Sequence, residues 1–289
     1  MQSRSIIVLQ CLLLISPLCA DEVIFAPGEQ PAFGTFFTPP LQEIKFVKRI
    51  IFVEDAAGKK FILKYPRSPN HALNDALGAK VGESIDVNIN HVKIFPPQDP
   101  SLSSVDKFPH QIKTLHTLVP GNEVRQLPDI QVTIKSGLKN KSKLRNITKH
   151  KDLYKIVALD IFLNNGDRHN GNLFYDLDND HFYAIDMDAI YYRQHLLATI
   201  ACEFIEGSHR KKLSLKEKNI LRNIYKILQK LISYYPPEKL CNLRKSLAEQ
   251  AHHQYTESEQ EHFKNLVEHN FHEVERLQRL LNRFLTKAK

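Results

Sequence analysis

The stretch "NNGDRHNGNLFYDLDNDHFYAIDMD", Asn164 to Asp188, holds six aspartates among short apolar pieces. Aspartate and asparagine favour turns over strands, so a hairpin with a polar tip accounts for Asp176, Asp178 and Asp180. It does not account for the "GDRHNGN" that precedes the hairpin. Asp167 falls in a loop after an apolar helix, Asn172 lies five residues on, and Asp186 closes the second strand. That order lets the three side chains converge at one end of a rigid hairpin. Two carboxylates and an amide oxygen suit phosphoryl transfer. One carboxylate orients the attacking hydroxyl and takes its proton, while the other, with the amide oxygen, holds the Mg²⁺ that offsets triphosphate charge. An EF-hand is the competing metal reading of "DLDND". It fails because His181 stands where glycine is needed and Met187 where the bidentate glutamate is needed.

The elements that must position these residues follow from the pattern of apolar residues. Residues 21–40 are rich in Pro, Gly and Phe and read as an irregular lead-in. "IKFVKRIIFVEDAAGKKFILKYP" predicts two strands around the turn "EDAAGK". Leu73, Leu77, Val81 and Ile85, four apart, predict a helix with one buried stripe. "VNINHVKIF" is a further strand, and the chain from Ser101 to Lys151 reads as less regular. Within it, "KSGLKNKSKLRNITKHK" is a solvated basic loop or a contact for an anionic membrane surface, and its "NKS" and "NIT" match the glycosylation sequon. "DLYKIVALDIFLNN" predicts a buried helix. After Asp188 the chain reads as helical, with two long amphipathic runs split by "PPEKL". Strands, a helix and a strand followed by a mainly helical half make an α+β fold of two lobes.

"GDRHNGN" resembles the catalytic loop of the phosphatidylinositol 3- and 4-kinases, whose pattern is D-R-H-x-x-N; HipA-type and secretory-pathway kinases have close variants. "FVEDAAGKKFILKYP" looks like the strand-turn-strand that ends in the nucleotide-binding lysine of type II phosphatidylinositol 4-kinases and HipA-like proteins, and the following helix is similar too. The resemblance spans roughly residues 46–191 and implies a two-lobed protein-kinase-like fold with a β-rich N-lobe and a mainly helical C-lobe. It implies Asp167 as the catalytic base, Asn172 and Asp186 as Mg²⁺ ligands, and Lys64 on the ATP phosphates. Arg168 and His169 would support the loop. Asp75 and Glu83 are both candidates to hold Lys64, with Glu83 favoured as the acid nearer the buried stripe. The sequence departs from the pattern twice. No G-x-G-x-x-G precedes the first hairpin, only Gly28 and Gly34. "DMD" replaces the usual hairpin end, so Asp188 is either a second metal ligand or a hydrogen-bonded loop residue, and Met187 is packing.

A chain of 289 residues has ample length for two lobes, and its charge of +8 points to acidic partners such as nucleotide, phosphoinositide or an anionic membrane face. No zinc-finger spacing, RNA-binding aromatic signature or heptad run points to nucleic acid. Arg4, the apolar "IIVLQCLLLI" and Ala20 lay out a secretory signal peptide, with an uncleaved anchor as the alternative. The expected organisation is therefore a signal peptide at 1–20, an N-lobe at 21–105 and a C-lobe at 106–289. It implies a protein that is secreted or lumenal. Of the four cysteines, Cys202 and Cys241 remain after cleavage, as one disulfide or two free thiols. The expected function is ATP- and Mg²⁺-dependent phosphorylation of a protein hydroxyl. A lipid kinase acting on phosphoinositide, an adenylyltransferase and a kinase-like binding module remain open.

Overall fold

The structure, a computed structural model, describes residues 36–127, 150–191, 197–208 and 215–286. The signal segment expected at 1–20, Gly28, Gly34, and the part of the basic loop with both sequons lie outside the described residues.

The first long β-branched run forms two strands, β1 (Gln42–Val47) and β2 (Ile50–Glu54), because Lys48 turns the chain at φ 58. The expected hairpin joins β2 to β3 (Lys60–Lys64). Its turn is held by Asp55, whose Oδ1 accepts from the backbone N–H of Ala57 at 3.0 Å and of Lys59 at 2.8 Å. With β4 (Val92–Phe95) and β5 (Lys113–Thr117) these make an antiparallel sheet of order β1-β2-β3-β5-β4. Side chains alternate across it. Ile51, Val53, Phe61, Leu63 and Leu115 pack on one face against Phe37, Leu102 and Val105 in a core of their own. The other face carries Lys64 and the half-buried Ile50, Phe52 and Ile62.

The sequence gives no sign of β5, yet it lies inside the sheet. Its "KTLHT" reads as polar, but Lys113, Thr114 and His116 are buried with partners; Lys113 pairs with Asp106 at 2.6 Å. The register places Thr114 opposite Lys64 and His116 opposite Ile62.

The helix α1 (Pro69–Ser84) starts where expected. Ser68 caps it and Pro69 occupies the first turn, where its missing N–H costs nothing. Its burial is not one stripe. Every residue from Ala72 to Ala79 is buried, because α1 lies between the sheet and the helical half and joins the main core.

That half contains β6 (Asn122–Glu123), α2 (Lys151–Phe162), β7 (Leu173–Asp176) and β8 (His181–Ala184). The helices α3 (Leu197–Ser208), α4 (Leu215–Tyr234), α5 (Pro237–Gln250) and α6 (Glu257–Thr286) follow. The expected hairpin is β7–β8, extended by β6 to three strands. "PPEKL" starts a helix of its own, α5. Phe263, Val267, Val274, Leu277, Leu281 and Phe284 make the buried seam of α6, which packs on α3, α4 and α5. Cys202 on α3 and Cys241 on α5 are free thiols, so the disulfide alternative is not formed. The lobes are stitched where Asn88–Asn90 runs beside β8: Ala184 donates to Asn88 O at 2.8 Å and Asn90 to Ala184 O at 3.4 Å. Among the described residues no helix is long and apolar enough to cross a membrane.

Candidate active site

The loop after α2 is held by the residues that look redundant in "NNGDRH". Asn164, at φ 50, ends the helix in the left-handed conformation that asparagine tolerates, and its Oδ1 accepts from Leu197 N at 2.9 Å. Asn165 is fully buried. Its oxygen accepts from Asp167 N at 3.3 Å and its nitrogen donates to Asp160 Oδ1 at 3.0 Å. Arg168 turns inward and grips the Asp160 carboxylate with Nε at 3.0 Å and Nη2 at 3.1 Å. Its Nη1 donates to the carbonyls of Asn172 and Ile185, both at 2.6 Å. One planar guanidinium thus fastens α2, the loop and the exit of β8 together, a task that needs the fixed fork of arginine. Asn172 donates from Nδ2 to Asp167 O at 3.2 Å, and among the described residues nothing donates to its amide oxygen. His169 is exposed, its Nε2 4.0 Å from Asp167 Oδ2.

From the sheet, Lys64 Nζ reaches Asp186 Oδ1 at 3.2 Å and Asp75 Oδ2 at 3.7 Å. Burial alone lowers the Lys64 pKa, but the two carboxylates outweigh it and hold the ammonium charged. The other oxygen of Asp75 accepts from Met187 N at 3.1 Å, so α1 is pinned to the segment after β8. Behind Asp75, His116 Nε2 stands 3.3 Å from Asp75 Oδ2 and 2.8 Å from Thr114 Oγ1, with Nδ1 2.7 Å from Asn90 Nδ2. Burial first, and then the Lys64 charge, push the His116 pKa well down, so the ring is neutral. The close approach of α1 depends on Gly78, where a Cβ would lie 2.5 Å from Met187 Cβ.

Glu83 does not take part. It lies eight residues beyond Asp75, about 12 Å along a helix rising 1.5 Å per residue. Its carboxylate pairs instead with His91 Nδ1 at 2.7 Å. Asp75 is the acid beside Lys64.

Asp186 sits at φ 60, a left-handed position that costs a non-glycine residue about 1–2 kcal/mol. Two residues on, the Asp188 carboxyl accepts no hydrogen bond from the described residues. Burial, and then the charges of Asp186 and Asp75, push its pKa up to about 7.

This two-lobed arrangement resembles the solved structure of the Helicobacter pylori proinflammatory kinase CtkA. The TM-score is 0.53 at 13% identity, over 86% of this chain and 97% of that one. The fold is kinase-like. A chain of the Shewanella oneidensis MR-1 HipA–HipB–operator DNA complex aligns with a TM-score of 0.43 at 12% identity, over 85% of this chain and 69% of that one. No protein-family model matches the sequence, and no curated protein matches it.

Within the kinase-like frame, the geometry brings Lys64, Asp75 and Asp186 into contact and ties the Asp167–Asn172 loop to the exit of β8 through Arg168. Sequence reasoning missed Asp160, Asn165, His116 and Asn74. Asp160 had a signal, since an acid within the apolar run "IVALDIF" must find a partner. His116 had none, because its strand did not read as one.

Proposed function

We propose that the chain is an ATP- and Mg²⁺-dependent phosphotransferase whose acceptor is a protein hydroxyl. The observation that carries this reading is the meeting of Lys64 with Asp75 and Asp186 beside the loop of Asp167 and Asn172. Lys64 contacts the ATP phosphates and Asp75 steadies it. Ile50, Phe52 and Ile62, on the Lys64 face of the sheet, offer an apolar surface to a flat base. Asn172, Asp186 and Asp188 would hold magnesium. Their donors are hard oxygens, the Asn172 amide oxygen and the Asp188 carboxyl have no hydrogen-bond partner among the described residues, and the charge crowded around Asp188 calls for a cation. Bound there, the ion offsets the charge of the triphosphate. Asp167 takes the proton of the acceptor hydroxyl as its oxygen bonds to the terminal phosphorus. The bond from that phosphorus to the bridging oxygen breaks, and ADP leaves. Arg168 supports the loop from below and His169 flanks Asp167 at its exposed edge. The N-terminal pattern adds export to this reading, towards an ATP-supplied lumen or the interior of another cell.

The test is transfer from ATP labelled at the γ or the α position, using the full chain, Mg²⁺, a mixture of protein acceptors and phosphoinositide vesicles. Label from the γ position on protein, abolished by EDTA, is expected. Label from the α position would instead make the chain an adenylyltransferase, and label on lipid alone a lipid kinase. ATP binding without transfer would leave a binding module.

A further inference from the structure

Outside the cleft, one cluster gathers metal-ligating side chains from two elements. His150 stands at the residue before α2, Asp152 lies in the first turn of that helix, and His181 opens β8. One donor atom from each residue lies within 4.8 Å of the other two. His150 Nδ1 stands 3.1 Å, and His181 Nδ1 3.0 Å, from Asp152 Oδ2. Donors held tetrahedrally around one zinc ion at 2.0–2.1 Å stand roughly 3.4 Å apart, so these two separations need to open by only about 0.3–0.4 Å.

Hydrogen bonding does not use this cluster up. His150 Nδ1 is buried and, among the described residues, makes no well-aligned hydrogen bond, Asp152 Oδ2 at 3.1 Å being its charged neighbour. A buried ring nitrogen without an aligned hydrogen bond is uncommon, and an ion is one partner that satisfies it. Phe182 walls the site on one side, its ring edge-on to His150 at 5.3 Å, and its backbone N–H fixes Asp152 Oδ2 at 3.1 Å. On the open side, Asp180 Oδ1 comes within 3.6 Å of His150 Nε2.

We propose that His150, Asp152 and His181 form a transition-metal site of the zinc class, separate from the oxygen donors of the cleft. Two imidazoles with one carboxylate suit Zn²⁺, Co²⁺ or Ni²⁺ and not Mg²⁺, which keeps to oxygen. Three protein donors leave a fourth position for water. The site clasps the two elements that build the cleft: α2 runs from His150 to the Asp167 loop, and β8 runs from His181 to Asp186. A metal here holds the loop and the hairpin in register from their far ends. The inference does not depend on the phosphotransferase reading.

The test uses the full chain without a histidine tag, stripped with EDTA and titrated with ZnCl₂ by calorimetry, and with CoCl₂ by visible absorption. Wild type should bind one equivalent at this site and gain thermal stability on binding, as any ligand of the native state gives. His181 is exposed, so His181→Ala should keep the fold, checked by circular dichroism. It should bind at least about tenfold more weakly, since losing even a group that only orients a metal ligand costs about 10–100-fold. His150→Gln is the second variant and should behave alike. MgCl₂ should not compete for zinc in wild type. A wild type that takes up no equivalent of zinc would overturn the proposal, and so would either variant binding zinc as wild type does.

Discussion

At the scale of the residue, Asp167 and Asp186 are two aspartates with different surroundings. Asp186 touches Lys64 at 3.2 Å, whereas Asp167 is part-exposed, with His169 4.0 Å from its carboxylate. Asp167→Ala therefore leaves Lys64, Asp75 and Asp186 in place. ATP–Mg²⁺ affinity should persist while transfer falls by about 10²–10⁴-fold, the usual cost of a lost general base. Asp186→Ala removes a partner of Lys64 and a proposed metal donor, so affinity and transfer should fall together. Isothermal titration with ATP and single-turnover transfer separate the two cases. Equal ATP affinity in wild type and Asp186→Ala would strip this aspartate of its metal role. These residues were legible because their spacing reports a local backbone path from loop to hairpin. His116 was not, because its partner Asp75 comes from a distant part of the chain.

At the scale of the element, α1 shows how a correct helix can carry a wrong assignment. The spacing of four located it, yet its face was misjudged, since a stripe seen from sequence cannot reveal that a second surface is also covered. Asp75 lies in the buried stretch and Glu83 near the exposed end, and the preference for Glu83 rested on the stripe. Glu83 instead raises the His91 pKa above its ordinary value of 6.5, chiefly through their hydrogen bond. A raised folded-state pKa means the pair stabilises fully below about pH 6.5 and ceases to do so as pH rises through the raised value. Glu83→Gln should thus lower the urea midpoint at pH 5.5 and leave it nearly unchanged at pH 9. The effect will be small because both groups are partly solvated. ATP affinity should not change. A fall in ATP affinity as large as that of Asp75→Asn would return Glu83 to the site. The missed strand β5 has the opposite lesson: its polar residues are polar because they face Lys64 and Asp106, so the feature that hid the strand is the one that serves the site.

At the scale of the whole molecule, the two lobes are not hinged freely about a linker, because the helical half reaches into α1. Arg244 on α5 is buried, donating to Asn74 Oδ1 and, at 2.8 Å, to Asn70 Oδ1. Its guanidinium lies 4.3 Å from the Phe263 ring on α6. Asn74 in turn donates to the carbonyls of Asp188 and Ile190, both at 3.0 Å. A chain of contacts therefore runs from the C-terminal bundle through α1 to the segment bearing Asp186 and Asp188, adjacent to Asp75. Arg244→Met keeps most of the bulk against Phe263 but removes both donors and strands the buried Asn74 amide oxygen, while the exposed Asn70 can turn to water. Each buried acceptor left without a partner costs about 1–3 kcal/mol, so stability should fall by an amount of that order. If the contact also positions the cleft, ATP affinity should fall at temperatures far below unfolding. Asn74→Ala should do the same, and the double variant should be no worse than about the more severe single one, since both cut one chain of contacts. Denaturant unfolding and ATP titration of the four proteins give both readouts. Strictly additive losses would mean that Arg244 and Asn74 act separately, and unchanged ATP affinity in Arg244→Met would confine the bundle to holding the fold.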